Sequence, residues 1–439
     1  MTHQPFSKLL QATALGGLLS LAPVALAVEE RGELPLDELR TFADVYNQIR
    51  VGYVEEIDDS KLLEYAIQGM LMGLDPHSVY LTKDAFQNLQ DTTSGEFTGL
   101  GLEVGMEDGY VKIIAPIDGS PAEKAGLQTG DVILKLGKVP IKGMSLNQAI
   151  EKMRGPKGSE IELTIGRSGD SQPFQVTLIR DTIQVASVRN RWLEPGYGYI
   201  RIAQFQGRTG DDVAKALKKL ADEQEIKGLV LDLRNNPGGV LRASVDVAGL
   251  FMNGGTVVYT EGRLANSDIN YEATAKDSTN GTPLVVLING GSASASEIVA
   301  GALQDQSRAV IMGTSSFGKG SVQTVLPISE SRAVKLTTAL YFTPNGRSIQ
   351  AEGIEPDVQV QRAKVTTIDS SRRITERDLD GRLDNAGGNS KADKNPSSEL
   401  LSTDNQLYEA LTLLKGINIL GRQNQKITQK DATLAAGDS

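Results

Sequence analysis

Apolar residues recur at helical spacing near both ends of the chain. Three segments place them three or four positions apart, which puts them on one face of a helix. These residues are Leu39, Phe42, Val45, Tyr46 and Ile49 in the first segment, Leu63, Ile67, Met70 and Leu71 in the second, and Leu407, Leu411, Leu414 and Ile417 in the third. The spacing predicts amphipathic helices. It leaves open whether their apolar faces pack onto the core of the chain or onto another protein molecule.

Short strands replace this pattern from residue 94 onwards. Apolar residues alternate with polar ones or cluster over 98–104, 111–115 and 131–136, and glycine-rich turns separate these stretches. Short apolar runs that are bounded by turn residues are typical of strands. We therefore expect a strand-rich domain after the N-terminal helices.

Strand and helix patterns alternate in the next part of the chain. Continuous apolar runs predict buried strands at 197–203, 228–234 and 283–288, and an amphipathic pattern predicts a helix at 209–220. A strand, a helix and a second strand in this order are typical of a crossover unit in an α/β sheet. Farther on, residues 364–398 are polar and predict a linker.

Three alternating serines follow the last of these strands. Asn289-Gly290-Gly291 breaks the strand, Ser292, Ser294 and Ser296 come next, and apolar residues at helical spacing begin at Ile298. A strand that turns sharply into a helix leaves small hydroxyl side chains and free backbone N–H groups at one point. An acyl-transfer enzyme would hold its nucleophile at such a turn.

Composition and charge narrow the function classes. The chain has 439 residues, so we expect more than one domain. Charged residues at 23% and apolar ones at 39% are typical of a soluble globular protein. The net charge of −10 argues against nonspecific nucleic-acid binding, which requires Lys and Arg to neutralise phosphates.

Residues 1–27 have the features of a secretory signal peptide. Lys8 is their only charged residue, an apolar run follows it, and Ala25-Leu26-Ala27 fits cleavage after Ala27. Glycine and proline within the run weaken the alternative of an uncleaved spanning helix. Because the chain has no cysteine, it has no N-terminal cysteine to carry a lipid. The sequence therefore predicts a periplasmic protein with no direct membrane anchor after cleavage.

The residues available as a catalytic base point to a lysine. The chain has two histidines: His3 lies in the predicted signal peptide, and we interpret His77, in an upstream turn, as structural. The absence of cysteine excludes a thiol nucleophile. Lys319, between two glycines, is the remaining candidate, and Gln323 would share a side with it in either a helix or a strand. A lysine base must be uncharged, so Lys319 must be buried and have no carboxylate partner.

The two segments resemble the active-site signature of the carboxy-terminal processing proteases, also called tail-specific proteases, a Ser-Lys peptidase family. Ser-Ala-Ser-Ala-Ser-Glu-Ile occupies 292–298, and Phe-Gly-Lys-Gly-Ser-Val-Gln occupies 317–323. In that family the nucleophile lies 25 residues before the lysine, which selects Ser294 for Lys319. The resemblance further implies that Gln323 orients the lysine.

Residues 94–183 are similar to a PDZ domain of the bacterial protease type. In such domains the loop that corresponds to Gly99, Leu100, Gly101 and Leu102 presents backbone N–H groups to the terminal carboxylate of a ligand. The peptide then adds as a strand beside a helix, here 145–153. Apolar groove walls imply ligands with apolar C-terminal residues.

A second glycine-rich turn, Asn-Asn-Pro-Gly-Gly at 235–239, follows the strand at 228–234. The family resemblance implies that Gly238 or Gly239 forms an oxyanion hole with the N–H of Ala295. Two fixed donors fit the chemistry, because negative charge develops at one oxygen in the tetrahedral intermediate. The residues alone do not choose between the two glycines.

The predicted fold class is α+β and multidomain, with an α/β protease core of crotonase-like strand-helix units, an inserted PDZ domain and helical N- and C-terminal segments. The predicted boundaries are a signal peptide at 1–27, an N-terminal helical region at 28–93, a PDZ domain at 94–183, a Ser-Lys protease core at 184–362, a polar linker at 363–400 and a C-terminal helical segment at 401–439.

The predicted function is that of a periplasmic serine endopeptidase. Its PDZ domain would recognise C-terminal tails of unfolded or envelope proteins, and the dyad would cleave peptide bonds through an acyl-enzyme with no metal and no cofactor. The resemblance also implies a homo-oligomer and an adaptor lipoprotein as partners. Two alternatives remain: a periplasmic PDZ peptide-binding adaptor with an inactive protease core, and a crotonase-like acyl-transfer or isomerising enzyme.

Overall fold

The computed structural model describes residues 34–366 apart from 118, 265, 266 and 275, together with 380, 383 and 397–437. The side chains of 147, 397–399 and 422–437 are also outside the description. The predicted signal peptide and most of the predicted polar linker therefore lie outside the described residues. Among the helices in these ranges, none combines the length and the apolar content that a membrane crossing needs.

The described residues up to Ile67 form one compact unit, and the described residues from Gln68 onwards form another. The first unit contains two helices, α1 (Leu36–Gly52) and the beginning of α2 (Asp59–Met72). Asp37 and Glu38 in the first turn of α1 and Arg50 in its last turn complement the helix dipole. No residue of α1 is buried, so its predicted apolar face is exposed.

After the last residues of α2, the second unit contains a strand and a helix, followed by a strand-rich domain. These elements are β1 (Val79–Leu81), α3 (Lys83–Ser94), β2 (Glu96–Gly99), β3 (Leu102–Glu107), β4 (Tyr110–Pro116), α4 (Pro121–Lys124), β5 (Val132–Leu136), β6 (Val139–Pro140), α5 (Leu146–Met153), β7 (Glu160–Gly166), β8 (Phe174–Ile179) and β9 (Asp181–Gln184). The main sheet has the order β3-β4-β5-β7-β8, so β3 is an edge strand. Ser145 caps α5 with a capping box. An edge strand of a sheet can accept a peptide as an added strand.

The α/β core follows this domain. Its elements are β10 (Val188–Glu194), β11 (Tyr197–Ile202), α6 (Thr209–Glu223), β12 (Gly228–Asp232), α7 (Leu241–Gly249), β13 (Thr256–Gly262), β14 (Ile269–Glu272), β15 (Leu284–Ile288), α8 (Ala295–Asp305), β16 (Val310–Gly313), β17 (Ser321–Ser329), β18 (Arg332–Phe342), β19 (Val358–Gln359), α9 (Ser397–Thr403) and α10 (Asn405–Gly437).

A six-stranded sheet with the order β10-β11-β12-β15-β16-β19 forms the centre of the core. The pairs from β11 to β19 are parallel, and every residue of β12 and β15 is buried. Both faces of a parallel sheet are normally covered, which explains the continuous apolar runs. Helices α6, α7 and α8 contribute to the cluster on one face.

The C-terminal helix α10 covers the other face of this sheet. Leu407, Ala410 and Leu414 pack in one cluster with Val285 and Leu287 of β15. The apolar face of α10 therefore packs onto the core of its own chain and not onto another protein molecule.

A second sheet stands beside the first. Its long strand β18 pairs antiparallel with β17 along one edge and with β1 and β13 along the other. The pairing with β1 sets Val79 opposite Lys335, and this brings the upstream turn that contains His77 to the protease core. The structure thereby confirms the predicted fold class.

Candidate active site

Ser294 lies at the sharp turn between β15 and α8, immediately before the first residue of the helix. Its backbone has φ 55° and ψ −112°, a combination that residues with a side chain rarely adopt. Such strain persists only where surrounding contacts hold it, and it is common at functional sites. Ser294 lines a cavity of about 710 Å³.

The hydroxyls of the two neighbouring serines bond to the core. Ser292 Oγ donates to the carbonyl of Leu233 at 2.8 Å, and its side chain is buried. Ser296 Oγ donates to the carbonyl of Asn236 at 2.9 Å, and it is buried as well. Ser294 is only partly buried and lines the cavity. Of the three serines, it is therefore the one whose hydroxyl a bound substrate can reach.

The carboxylate of Glu297 holds the loops of Ser294 and Lys319 together. It is fully buried, and its Oε2 accepts the backbone N–H of Ser294 at 2.6 Å and that of Lys319 at 3.0 Å. Its Oε1 accepts Ser316 Oγ at 2.6 Å and Gly318 N–H at 2.7 Å. These donors stabilise a charge that would otherwise be costly to bury. Sequence analysis assigned Glu297 no role, although its position three residues after Ser294 is the spacing of a capping box.

Lys319 precedes β17 and lines the same cavity as Ser294. Burial lowers the pKa of its ammonium group, and the charge of Lys335, which lines the cavity from β18, lowers it further. The charges of Glu297 and Asp75 act in the opposite direction. Within the described part of the chain, no carboxylate forms an ion pair with Lys319. Its surroundings thus favour the neutral amine, which a general base requires.

Tyr341 contacts both candidate catalytic residues. It is 2% exposed, its hydroxyl donates to the carbonyl of Lys319, and the side chain of Ser294 lies against it. Burial raises the pKa of Tyr341 well above its ordinary value, so the phenol stays a neutral donor. Among the described atoms, no hydrogen bond joins Ser294 Oγ to Lys319 Nζ. Sequence analysis missed Tyr341 because only the pairing of β18 brings it to this loop.

Gln323 also lines the cavity, but its amide nitrogen does not reach Lys319. A register shift in β17 falls between Val322 and Gln323. Gln323 Nε2 donates to Ser321 Oγ at 2.9 Å and to Thr337 Oγ1 at 3.3 Å. Ser294, Lys319 and Gln323, the three predicted catalytic residues, therefore line one cavity. The amide nitrogen of Gln323 is hydrogen-bonded to side chains of β17 and β18.

The turn after β12 contains the candidate oxyanion donors. The N–H of Gly238 is donated to the side chain of Asn236 at 2.9 Å. Gly239 lines the cavity, and among the described residues neither its N–H nor that of Ala295 has an acceptor. A Cβ at position 239 would lie 2.0 Å from the carbonyl oxygen of Phe205, so this position requires glycine. The turn thus leaves the N–H groups of Gly239 and Ala295 for a ligand and uses that of Gly238 internally.

The predicted peptide-binding loop joins β2 to β3. The carbonyl of Leu100 accepts the N–H of Ala122 at 3.0 Å, and the carbonyl of Gly101 accepts that of Ile117 at 2.9 Å. In a trans peptide the N–H points away from the carbonyl, so the N–H groups of Gly101 and Leu102 point to the opposite side of the loop. Gly101 has φ 77°, and a Cβ there would lie 2.1 Å from the side chain of Ser120.

Four apolar side chains of this domain, Leu102 and Val104 of β3 and Leu146 and Ile150 of α5, are partly buried against the domain core. Gly99, the first residue of the predicted loop, instead pairs with Asp181 as the last residue of β2. These four side chains are the candidate walls of the predicted peptide-binding groove, which stays a prediction.

Comparison with known protein families and relatives agrees with this architecture. Family models match the chain as peptidase family S41 over residues 196–360, as a PDZ domain over 112–167 and as an activating protease CtpB N-terminal domain over 23–85. A solved structure of a photosystem II D1 C-terminal processing protease is 32% identical and covers 74% of this chain and 93% of its own, with a TM-score of 0.43.

Two relatives share most of their length with this chain. A carboxyl-terminal-processing protease of Synechocystis sp. is 39% identical over 372 residues, which cover 80% of this chain and 86% of the relative. A carboxy-terminal-processing protease of Bartonella bacilliformis is 45% identical over 390 residues, which cover 86% of this chain and 88% of the relative. The chain therefore belongs to the carboxy-terminal-processing proteases, serine peptidases of family S41 that carry a PDZ domain.

Proposed function

We propose that the protein hydrolyses peptide bonds with a dyad of Ser294 and Lys319. The observation that carries the proposal is that Ser294, alone among the three serines of its turn, lines a cavity that also contains a partly buried lysine. As Ser294 Oγ attacks the substrate carbonyl carbon, its proton passes to the neutral Lys319 Nζ. The lysine then protonates the leaving amine, which departs and leaves an acyl-enzyme.

Hydrolysis of the acyl-enzyme uses the same two groups. Lys319 takes a proton from water, the resulting hydroxide attacks the acyl carbon, and the proton returns to Ser294 Oγ as the ester bond breaks. In both halves the carbonyl oxygen gains negative charge. The N–H groups of Gly239 and Ala295, which have no acceptor among the described residues, would stabilise this charge.

The dyad requires one local movement, because the Ser294 side chain lies against Tyr341. A serine hydroxyl changes from one staggered rotamer to another by rotation about a single bond. Catalytic hydrogen bonds are often absent from unliganded sites and form in the substrate complex. Substrate binding in the cavity would turn the Ser294 hydroxyl toward Lys319.

The PDZ domain would select the substrate by its C-terminal tail. Leu102 and Val104 of β3 and Leu146 and Ile150 of α5 would form the apolar walls of a groove, and the N–H groups of Gly101 and Leu102 would bind a terminal carboxylate at its end. This chemistry favours protein or peptide substrates with apolar C-termini. Unfolded or envelope proteins are the proposed source of such tails, since the predicted signal peptide directs the chain to the periplasm.

The proposed assembly is a homo-oligomer. The exposed apolar residues of α1 support it: Leu39, Phe42, Val45 and Ile49 are 38–54% exposed and recur on one helical face. Analytical ultracentrifugation of the full chain tests this proposal, since a monomer at micromolar concentration would contradict it. An adaptor lipoprotein is the proposed activating partner, and activity of the purified protein equal to that in cell extract would make it unnecessary.

The decisive experiment uses the exported protein, whose N-terminus after processing also tests cleavage after Ala27. It is incubated with an unfolded polypeptide that ends in apolar residues and with the same polypeptide ending in aspartates. We expect cleavage of the first substrate, loss of cleavage in Ser294→Ala and Lys319→Ala, and Ser294-dependent labelling by a fluorophosphonate. Binding of the tail without any cleavage would contradict the dyad and favour a peptide-binding adaptor.

A further inference from the structure

A chain of side-chain hydrogen bonds connects Gln323 to a turn that lies far away in sequence. Gln323 Nε2 lies 3.3 Å from Thr337 Oγ1, and Thr337 Oγ1 lies 3.1 Å from Asp75 Oδ1. Asp75 is in the turn before β1, and Thr337 is the cross-strand partner of Gln323 on β18. The mechanism described above assigns no role to Asp75 or Thr337.

The turn fixes the Asp75 carboxylate in place. Its Oδ1 accepts the backbone N–H groups of His77 at 2.7 Å and Ser78 at 2.9 Å, and its Oδ2 accepts Ser78 Oγ at 2.6 Å. Ser78 is 1% exposed, and its oxygen also accepts the backbone N–H of Thr337 at 3.1 Å. The Asp75 carboxylate is thus connected to β18 both directly, by the Thr337 hydroxyl, and through Ser78 Oγ.

These contacts determine the direction of each hydrogen bond. An ionised carboxylate only accepts, so Thr337 must donate its hydroxyl proton to Asp75. The Thr337 oxygen is then left to accept, and the group that faces it must be the NH₂ of Gln323. The carbonyl of Ser321, 3.3 Å from the same nitrogen, also only accepts. The Thr337 oxygen and the Ser321 carbonyl, both acceptors, therefore require that Gln323 direct its NH₂ group toward β17 and β18.

With its nitrogen fixed, Gln323 has Oε1 left to present elsewhere. Within the described part of the chain, no donor bonds to Oε1, and Gln323 lines the cavity that Lys319 and Ser294 line. A carbonyl oxygen in that cavity is an acceptor for an N–H of the lysine amine. A neutral amine has one lone pair, and fixing one N–H limits the directions in which the lone pair can point.

We propose that Thr337 and Asp75 are positioning residues of the protease, which hold Gln323 Oε1 toward Lys319 so that the lysine lone pair is aimed at Ser294. The inference rests on the proposed dyad. Gln323 contacts the reacting base in this scheme, whereas Thr337 and Asp75 act through Gln323. Without the Thr337 hydroxyl, the amide could rotate and present its NH₂, which cannot accept from the amine.

The test compares Thr337→Val, which removes the hydroxyl and keeps the shape, with Thr337→Ser, which restores it. Thr338→Val is the matched control, because Thr338 is the next residue of β18 and its hydroxyl pairs with that of Thr324 at 2.7 Å on the exposed side. We expect kcat to fall about tenfold in Thr337→Val, as for the loss of one orienting hydrogen bond, with KM unchanged. Thr337→Ser and Thr338→Val should keep the wild-type kcat.

A double-mutant cycle with Gln323→Ala separates positioning from general damage to the strand. If Thr337 acts through Gln323, the Thr337→Val change has no further effect on kcat in the Gln323→Ala background. Additive losses, or a wild-type kcat in Thr337→Val, would overturn the inference. If Thr337→Val does not fold, Thr337→Ala replaces it, since it also removes the hydroxyl that donates to Asp75 Oδ1. A wild-type kcat in Thr337→Ala would then overturn the inference.

The same assay separates this inference from the proposed dyad. Wild-type cleavage that survives in Ser294→Ala or Lys319→Ala contradicts the dyad itself. Cleavage that requires both residues but is indifferent to the Thr337 hydroxyl retains the dyad and rejects the role of Thr337 and Asp75 alone.

Discussion

Ser294 and Lys319 donate their backbone N–H groups to one and the same oxygen, Oε2 of Glu297, at 2.6 and 3.0 Å. The proposed nucleophile and the proposed base come from separate loops, and neither residue is part of a strand or helix. A buried anion between them fixes the distance between the two backbones. Groups that are held in their reactive positions before the substrate binds lower the activation barrier of the chemical step.

Glu297→Gln should therefore damage both activity and stability. The amide cannot accept at both ends, so at least one of the buried N–H or hydroxyl donors loses its partner, which costs about 1–3 kcal/mol of unfolding free energy. We expect kcat to fall more than KM rises. Denaturant unfolding and steady-state kinetics measure the two effects, with Glu330→Gln in an exposed position of the β17–β18 connection as the control. Wild-type kcat in a folded Glu297→Gln protein would contradict this role.

Lys335→Met should move the pH dependence of cleavage to higher pH. In the proposed mechanism Lys319 acts as a base in its neutral form, so we expect activity to rise as pH increases through its pKa. Burial and the charge of Lys335 lower that pKa, and removing the charge raises it again. Activity at neutral pH should fall and recover in more alkaline buffer.

The control for this shift is Lys335→Arg, which keeps the charge and should keep the wild-type profile of kcat/KM. The other charged or titratable groups near Lys319 are Glu297, Asp75, His77 and Tyr341. None of them changes in either variant. A profile that moves equally in Lys335→Met and Lys335→Arg would show that packing, and not charge, is responsible.

Local sequence patterns predicted the central strands, and family resemblance supplied the candidate dyad, because both signals lie in short stretches of the chain. The apolar runs of β12 and β15 are continuous since both strands are buried on two faces. Ser294 and Lys319 lie in short motifs at a fixed spacing of 25 residues.

The other residues of the site are brought to the cavity by pairing between strands that are distant in sequence. No local sequence pattern predicts such pairing. Tyr341, Lys335 and Thr337 reach the cavity or its border because of the register of β18 with β17 and β1. The difference between Gly238 and Gly239 depends on the Asn236 side chain, which accepts from Gly238 alone. The spacing of apolar residues in α10 likewise could not indicate what its face would cover.

Arg154→Ala should uncouple the PDZ domain from the protease cavity. Arg154 caps the groove helix α5, and its guanidinium donates to Asn88 on α3 at 2.9 Å and lies 3.6 Å from Asp91. Helix α3 also lines the cavity, through Phe86 and its neighbours. Arg154 thus connects α5 to α3, the helix that lines the cavity.

We expect a free apolar tail peptide to change the cleavage rate of a tail-less substrate in the wild type. In Arg154→Ala this change should disappear while the peptide still binds, as measured by fluorescence anisotropy. Lys157→Ala is the control, because Lys157 pairs with Asp181 within the same domain at 2.8 Å. A peptide effect of wild-type size in Arg154→Ala would show that the coupling takes another route.

Asp404→Asn should loosen the C-terminal helix from the central sheet. Arg234, with a side chain 11% exposed, bonds to Asp404 and to the fully buried Asp232. Burial opposes ionisation of Asp404, but its hydrogen bonds with Arg234 hold its pKa below the ordinary value. Asp404→Asn removes one of the two negative charges that balance the buried charge of Arg234. Because Asp404 is 31% exposed, we expect the unfolding free energy to fall by about 2 kcal/mol.

The pH dependence of that loss gives the sharper test. A carboxyl whose pKa is lowered by folding contributes stability above its unfolded pKa, near 3.9, and this contribution disappears as pH falls through the lowered value. The stability difference between wild type and Asp404→Asn should therefore be full at neutral pH and shrink only in strong acid. Asp212→Asn, at an exposed pair with Lys215 on α6, should change stability by less than about 0.5 kcal/mol. A difference that is constant down to the acid limit would assign the effect to packing of α10 and not to the charge of Asp404.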